Sequence, residues 1–290
     1  LKRKEFIKSG IILTAATATS MKLSVLNTLF ADNKTTKLMP VLFVGHGNPM
    51  NAIEENEFSL AWKKLGKELP KPNAVLCISA HWLTKGTWVT AMEKPKTIHD
   101  FGGFPDKLFQ QQYPAPGAPR FAKETITLIQ TTRVNEDYNW GLDHGTWSVL
   151  LPMYPQAEIP VYQLSLDYTK NPQYHYNLAK ELFELRKKGV LIIGSGNIVH
   201  NLSRLKWTND AFDWALEFDA QVKKLIDQND FQSLINYEKL GEAAKLSVPA
   251  NDHYLPLLYS LALKCANDNI TYFNDKVLMG AVSMRSLLIH

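Results

Sequence analysis

Three short apolar runs in this 290-residue chain each lead into a histidine. Val41-Leu42-Phe43-Val44 precedes Gly45-His46-Gly47, Ala74-Val75-Leu76-Cys77-Ile78-Ser79-Ala80 precedes His81, and Val190-Leu191-Ile192-Ile193 precedes Gly194-Ser195-Gly196-Asn197-Ile198-Val199-His200. Runs this short and continuously apolar, separated by stretches of helical period, read as buried parallel strands. The expected architecture is α/β: a single domain whose central sheet, mostly parallel or mixed, carries helices on both faces. In such sheets ligands bind beyond the carboxyl ends of the strands. Histidines delivered there from separate strands meet in space, and converging imidazoles are the donor set a transition metal needs.

Composition supports a large core, with 45% hydrophobic and 11% aromatic residues. The formal charge of +4 comes entirely from residues 1–31, where Lys2, Arg3, Lys4, Lys8 and Lys22 face only Glu5. The remainder is formally neutral and has no basic stripe interleaved with aromatics, which excludes nucleic acid as the expected partner. The basic start, the mildly apolar Gly10–Phe30 and a cleavage residue at Ala31 fit an export signal over residues 1–31. Its Arg3-Lys4 resembles a twin-arginine signal with lysine as the second residue. A periplasmic or otherwise exported location is therefore expected, with the cytoplasm as the alternative. Residues 32–37 read as a linker and 38–290 as the folded domain. No later segment is long and apolar enough to span a membrane, so no stable membrane association of the mature chain is expected.

Periodicity predicts helices over Phe58–Leu69, Arg120–Thr132, Tyr174–Lys188, Ala211–Asp227, Phe231–Leu240 and Tyr254–Ala266. Further strands are expected over Thr87–Met92, Val161–Leu166 and, last, Val277–Ser283. The segment 98–119, rich in proline and aromatics, reads as a long irregular loop, a kind that in compact domains is usually functional or mobile. Cys77 and Cys265 lie in apolar settings and read as core thiols.

Five of the eight histidines have distinctive settings. His46, between glycines that permit close approach of a ligand, and His81, just past a strand run, read as metal ligands. His200 reads as a ligand or as an acid/base group. His253, in Asn251-Asp252-His253-Tyr254-Leu255-Pro256, reads as a ligand, although Asn251 or Asp252 could instead cap the following helix. His144, in Asp143-His144-Gly145-Thr146-Trp147, follows no strand run and reads as a substrate-facing residue with Asp143 as its neighbour. His99, His175, on a polar helix, and His290 have no such context.

Taken in order, Gly45-His46-Gly47-Asn48-Pro49-Met50, Ser79-Ala80-His81-Trp82, the His144 motif, Gly194–Leu202 and Asp252-His253-Tyr254-Leu255-Pro256 resemble the 4,5-DOPA extradiol dioxygenases, within the LigB-like class III ring-cleaving dioxygenases. The resemblance runs from about Met39 to near the C-terminus. It implies one mononuclear non-haem metal held by His46, His81 and His253, with His200 beside or on the metal, and acid/base or substrate-binding work for His144 and His200. In the wider superfamily two histidines and a glutamate hold iron. Here His253 stands where the glutamate would be, so the implied ion is Zn(II) or Fe(II). The implied reaction inserts O2 into a catechol such as DOPA to give a muconic semialdehyde-type product, with Phe101-Gly102-Gly103-Phe104-Pro105 as a candidate lid. The alternatives are a zinc-dependent hydrolase or a non-catalytic metal-binding protein on the same fold.

Overall fold

Valine, leucine and isoleucine dominate the strand runs because both faces of the sheet are covered. The computed structural model describes residues 38–290 other than Asn209. The expected export signal and linker lie outside these described residues. Six strands form the central sheet: β1 (Val41–Gly45), β2 (Ala74–Ser79), β3 (Val161–Gln163), β4 (Val190–Gly196), β5 (Ile270–Phe273) and β6 (Ser286–Ile289). Their lateral order is β3-β2-β4-β1-β6-β5. The first four are mutually parallel, whereas β6 runs antiparallel to both β1 and β5. The sheet is therefore mixed.

Pleating divides each buried run between two packing layers. Val41, Phe43, Leu76, Ile78, Val190 and Ile192 share a core with Leu255, Leu258 and Leu261 of helix Leu255–Ala262 and with Leu178 and Leu182. On the other face, Ser195 Oγ donates to the carbonyl of Gly145 in helix His144–Met153. Helix Glu57–Glu68 lies outside that helix, with Gly66 against the Met153 backbone. Strand β4 lies between β1 and β2, and its register aligns Gly45 with Gly196 and Ser79 with Ser195. The three chains thus leave the sheet along one edge.

Several expected elements are cut short or divided. The run Val161–Leu166 stops as β3 at Gln163; Leu166–Asp167 then pairs with Leu83–Thr84 in a separate ribbon. The segment 174–188 forms two helices, Pro172–Lys180 and Phe183–Lys187. Asn171 caps the first by accepting from the Tyr174 N–H, with Pro172 in its first turn. The expected last strand is a hairpin, Val277–Leu278 against Val282–Ser283, turned by Met279 and Gly280 at positive φ. The final sheet strand is β6, which begins three residues after Ser283 and lies beside β1. Helix His144–Met153 escapes periodicity because it is apolar on all sides and buried almost throughout. Both cysteines are unpaired, Cys77 buried within β2 and Cys265 half-buried.

Candidate metal centre

His46 follows β1 directly, His81 lies two residues beyond β2, and His200 four residues beyond β4. His253 arrives from the segment preceding helix Leu255–Ala262, where its carbonyl accepts the Asn197 N–H at 2.9 Å and so ties it to the end of β4. Strand β4 continues through Gly194-Ser195-Gly196. Its glycines are required because a Cβ at either would run into the Pro256 or His253 backbone.

The rings of His46, His81 and His253 form a nearly equilateral triangle, with centroid separations of 5.0, 5.1 and 5.0 Å. One donor nitrogen from each lies within 4.8 Å of the others. The partners of the outer ring nitrogens assign the tautomers. Ser195 Oγ spends its hydrogen on the Gly145 carbonyl, so at 3.0 Å it accepts from His46 Nδ1–H. Asn197 donates its amide to the Ser283 carbonyl, which leaves its Oδ1 to accept from His253 Nδ1–H at 3.1 Å. His81 Nδ1 faces an Asp100 carboxylate oxygen at 3.4 Å, again an acceptor. All three Nε2 atoms are then bare lone pairs turned inward. Those of His46 and His81 stand 3.1 Å apart. A tetrahedral ion with metal–nitrogen bonds of about 2.0–2.1 Å would hold its nitrogens about 3.3 Å apart. Outer nitrogens held by carboxylate, amide and hydroxyl, with inner lone pairs converging, fit a divalent metal.

Burial suits the same role. Desolvation, followed by repulsion from the neighbouring imidazoles, holds His46 and His253 well below the ordinary histidine range. The same causes lower His81 to about 3, with Asp100 partly opposing them, and bring His200 down to about 4. Each is neutral at pH 7, the form that binds a metal.

His144 and His200 flank this triangle. The His144 ring centroid lies 3.9 Å from that of His81 and 5.6 Å from that of His46. His200 stacks flat on His253, with centroids 3.4 Å apart and planes 11° from parallel. It stands outside the trio whose donor atoms converge. The expected neighbour of His144, Asp143, is instead the N-cap of helix His144–Met153, where it accepts from the Thr146 N–H. Ser79 and Gln163 also donate to its carboxylate, at 2.7 Å each. The carboxylate beside His144 Nδ1 is Asp100, at 3.0 Å. Burial tends to raise the Asp100 carboxyl, but His144 and His81 outweigh it and the net shift is downward. In the expected lid, Phe101 packs edge-on to His144 at 5.5 Å and against Phe104 and Phe109, while Gly102 and Gly103 are exposed.

Asn251 and Asp252 do not cap the helix after His253; the capping position is Tyr254, which makes no side-chain cap bond. His175 lies outside the cluster, yet it is fully buried, between the Tyr259 hydroxyl and the Asp167 carbonyl. Sequence reading missed Asp100 and the side-chain roles of Ser195 and Asn197. The available signal for Asp100 was an acid between His99 and Phe101 in a loop of a kind usually functional or mobile. Nothing local distinguishes Ser195 or Asn197.

A family model described as the catalytic LigB subunit of aromatic ring-opening dioxygenase matches residues 40–264. The chain is 46% identical over 257 residues to the 4,5-DOPA dioxygenase extradiol of Escherichia coli K12, covering 87% of this chain and 94% of that protein. It is 36% identical over 234 residues to the 4,5-DOPA dioxygenase extradiol of Mirabilis jalapa, covering 78% and 86% respectively. The crystal structure of an uncharacterised Escherichia coli K12 protein superposes with a TM-score of 0.75 at 41% identity, over 87% of this chain and all of the other.

Proposed function

Because the chain belongs to the LigB family of aromatic ring-opening dioxygenases, we propose that it cleaves the ring of a catechol with O2 at one divalent metal held by His46, His81 and His253. The carrying observation is the convergence of one donor nitrogen from each of three histidines, with Nδ1 of His46 and His253 hydrogen-bonded to acceptors and Nδ1 of His81 facing the Asp100 carboxylate. Iron(II) in this position would acidify bound catechol hydroxyls and relay electrons from the ring to dioxygen, whereas zinc(II) would supply only the acidity.

The chain's own groups would handle the protons and the pocket. His200, held neutral, can accept a proton from an incoming hydroxyl on the His253 side. His144, on the His81 side, is placed to exchange a second proton. Phe101, resting on the His144 edge, offers an apolar wall that would exclude water beside an aromatic ring. The resemblance among relatives named for DOPA cleavage makes DOPA the first catechol to test.

The test is anaerobic loading of the purified protein with Fe(II), followed by DOPA or simple catechols in air, with a zinc-loaded control. Oxygen uptake coupled to semialdehyde absorbance, present only with iron, is the expected result. Absence of uptake with every catechol at full metal occupancy would overturn the reading.

A further inference from the structure

Asp100 reaches the cluster from the loop after Ile98, and that loop is pinned at several points. The Ile98 N–H donates to the Leu142 carbonyl, and the Ile98 carbonyl accepts from Trp147 Nε1, each at 2.8 Å. Phe101 closes the other side against His144. Between these anchors the Asp100 side chain is only 19% exposed, and its two oxygens have different duties. Oδ1 accepts the backbone N–H of His144 at 2.8 Å, one of the first-turn donors for which helix His144–Met153 has no internal partner. Oδ2 stands 3.0 Å from His144 Nδ1 and 3.4 Å from His81 Nδ1; these are charge contacts rather than aligned hydrogen bonds, and His144 Nδ1 is buried with no aligned acceptor of its own.

We propose that Asp100 is the positioning residue that sets the tautomer and ring orientation of His81 and His144 together. The inference deepens the function proposed above and rests on its assignment of His81 to the metal and His144 to proton transfer. A carboxylate oxygen can only accept, so an imidazole nitrogen facing it carries the hydrogen. One carboxylate oxygen beside two Nδ1 atoms therefore favours a hydrogen on each of them and leaves both Nε2 atoms as lone pairs. For His81 that lone pair is the one turned towards His46 Nε2. For His144 it is the atom that would take a substrate proton. The grip on the His144 main chain adds a second constraint, because the helix start and the ring are held by the same side chain. His46 and His253 take their orientation from neutral groups, Ser195 and Asn197. Of the three triangle histidines, His81 is thus the one ordered by a group that it shares with a second functional histidine.

Asp100→Asn keeps the shape but can turn an amide N–H towards the two Nδ1 atoms, which favours the opposite tautomers. The experiment is nitrogen-15 correlation NMR of the histidine side chains in metal-free protein, for the wild type and for Asp100→Asn. The wild type should show Nδ1–H tautomers at His81 and His144, and Asp100→Asn should convert at least one of them to Nε2–H. Zn(II) affinity, measured by competition with a chromophoric chelator, should fall roughly 10–100-fold in the same variant, and Asp100→Glu should recover part of it. An Nε2–H tautomer at either residue in the wild type, which needs no variant to fold, would overturn the proposal. So would unchanged tautomers in a folded Asp100→Asn protein. Neither readout uses catechol turnover, so failure to cleave any catechol would count against the proposed function while leaving this test intact.

Discussion

At the scale of single residues, each member of the triangle has its inner nitrogen freed by a different outer partner. Removing a ligand and removing an outer partner should therefore be separable. His46→Ala or His253→Ala deletes a donor, and metal content after dialysis should fall from one equivalent per chain to near zero by elemental analysis. His144→Ala leaves the triangle intact and should retain metal while losing turnover. Asn197→Ala removes the acceptor for His253 Nδ1–H and the donor to the Ser283 carbonyl. Its metal affinity should drop about 10–100-fold, and unfolding stability by about 1–3 kcal/mol for the stranded buried groups. A titration showing wild-type affinity would mean that Asn197 does not orient His253.

At the scale of elements, the strand runs were legible because a strand buried on both faces must be apolar at every position. Helix His144–Met153 was invisible for the same reason: a helix covered on all sides loses the period that marks an amphipathic one. Gly66 shows how packing overrides local preference. In an exposed helix interior, alanine is favoured over glycine by about 0.8–1.0 kcal/mol. Here a Cβ would collide with the Met153 carbonyl of the helix beneath. Gly66→Ala should accordingly destabilise, by about 1–3 kcal/mol, and lower the urea midpoint. A raised midpoint would show that the two helices separate easily.

At the scale of the whole molecule, the chain gathers buried neutral histidines into one domain. His46, His81, His200 and His253 at the site and His175 in the core all have folded pKa values below the ordinary 6.5, and His175 and His200 are down to about 4. An unfolded chain takes up protons at these positions as the pH falls through about 6.5, while the folded protein does not. Their contribution to stability is therefore complete above that pH and is lost as the pH drops towards 4. The urea midpoint of the metal-free protein should be lower at pH 5.5 than at pH 7.5, and equal midpoints would contradict the assignment. Zinc should raise the midpoint at pH 7.5 through binding to the folded state alone, and less at pH 5.5, where protons compete for the same nitrogens.

Arg186 belongs to this scale as well. It stands beside Lys187 in the last turn of helix Phe183–Lys187, yet it is buried and donates to the Met39 and Leu263 carbonyls and to Asp268. It joins the start of the described chain to its last third, a role that no local pattern carries.

The sequence by itself determined the four parallel strands, the sheet edge they share and the histidines delivered to it, because burial on both faces imposes composition on contiguous residues. Only the tertiary structure decided which nitrogens converge, that Asp100 rather than Asp143 stands beside His144, and that His200 lies flat on His253. Those outcomes depend on side chains tens to hundreds of residues apart meeting within about 3 Å, and separation of that kind leaves no period or motif along the chain.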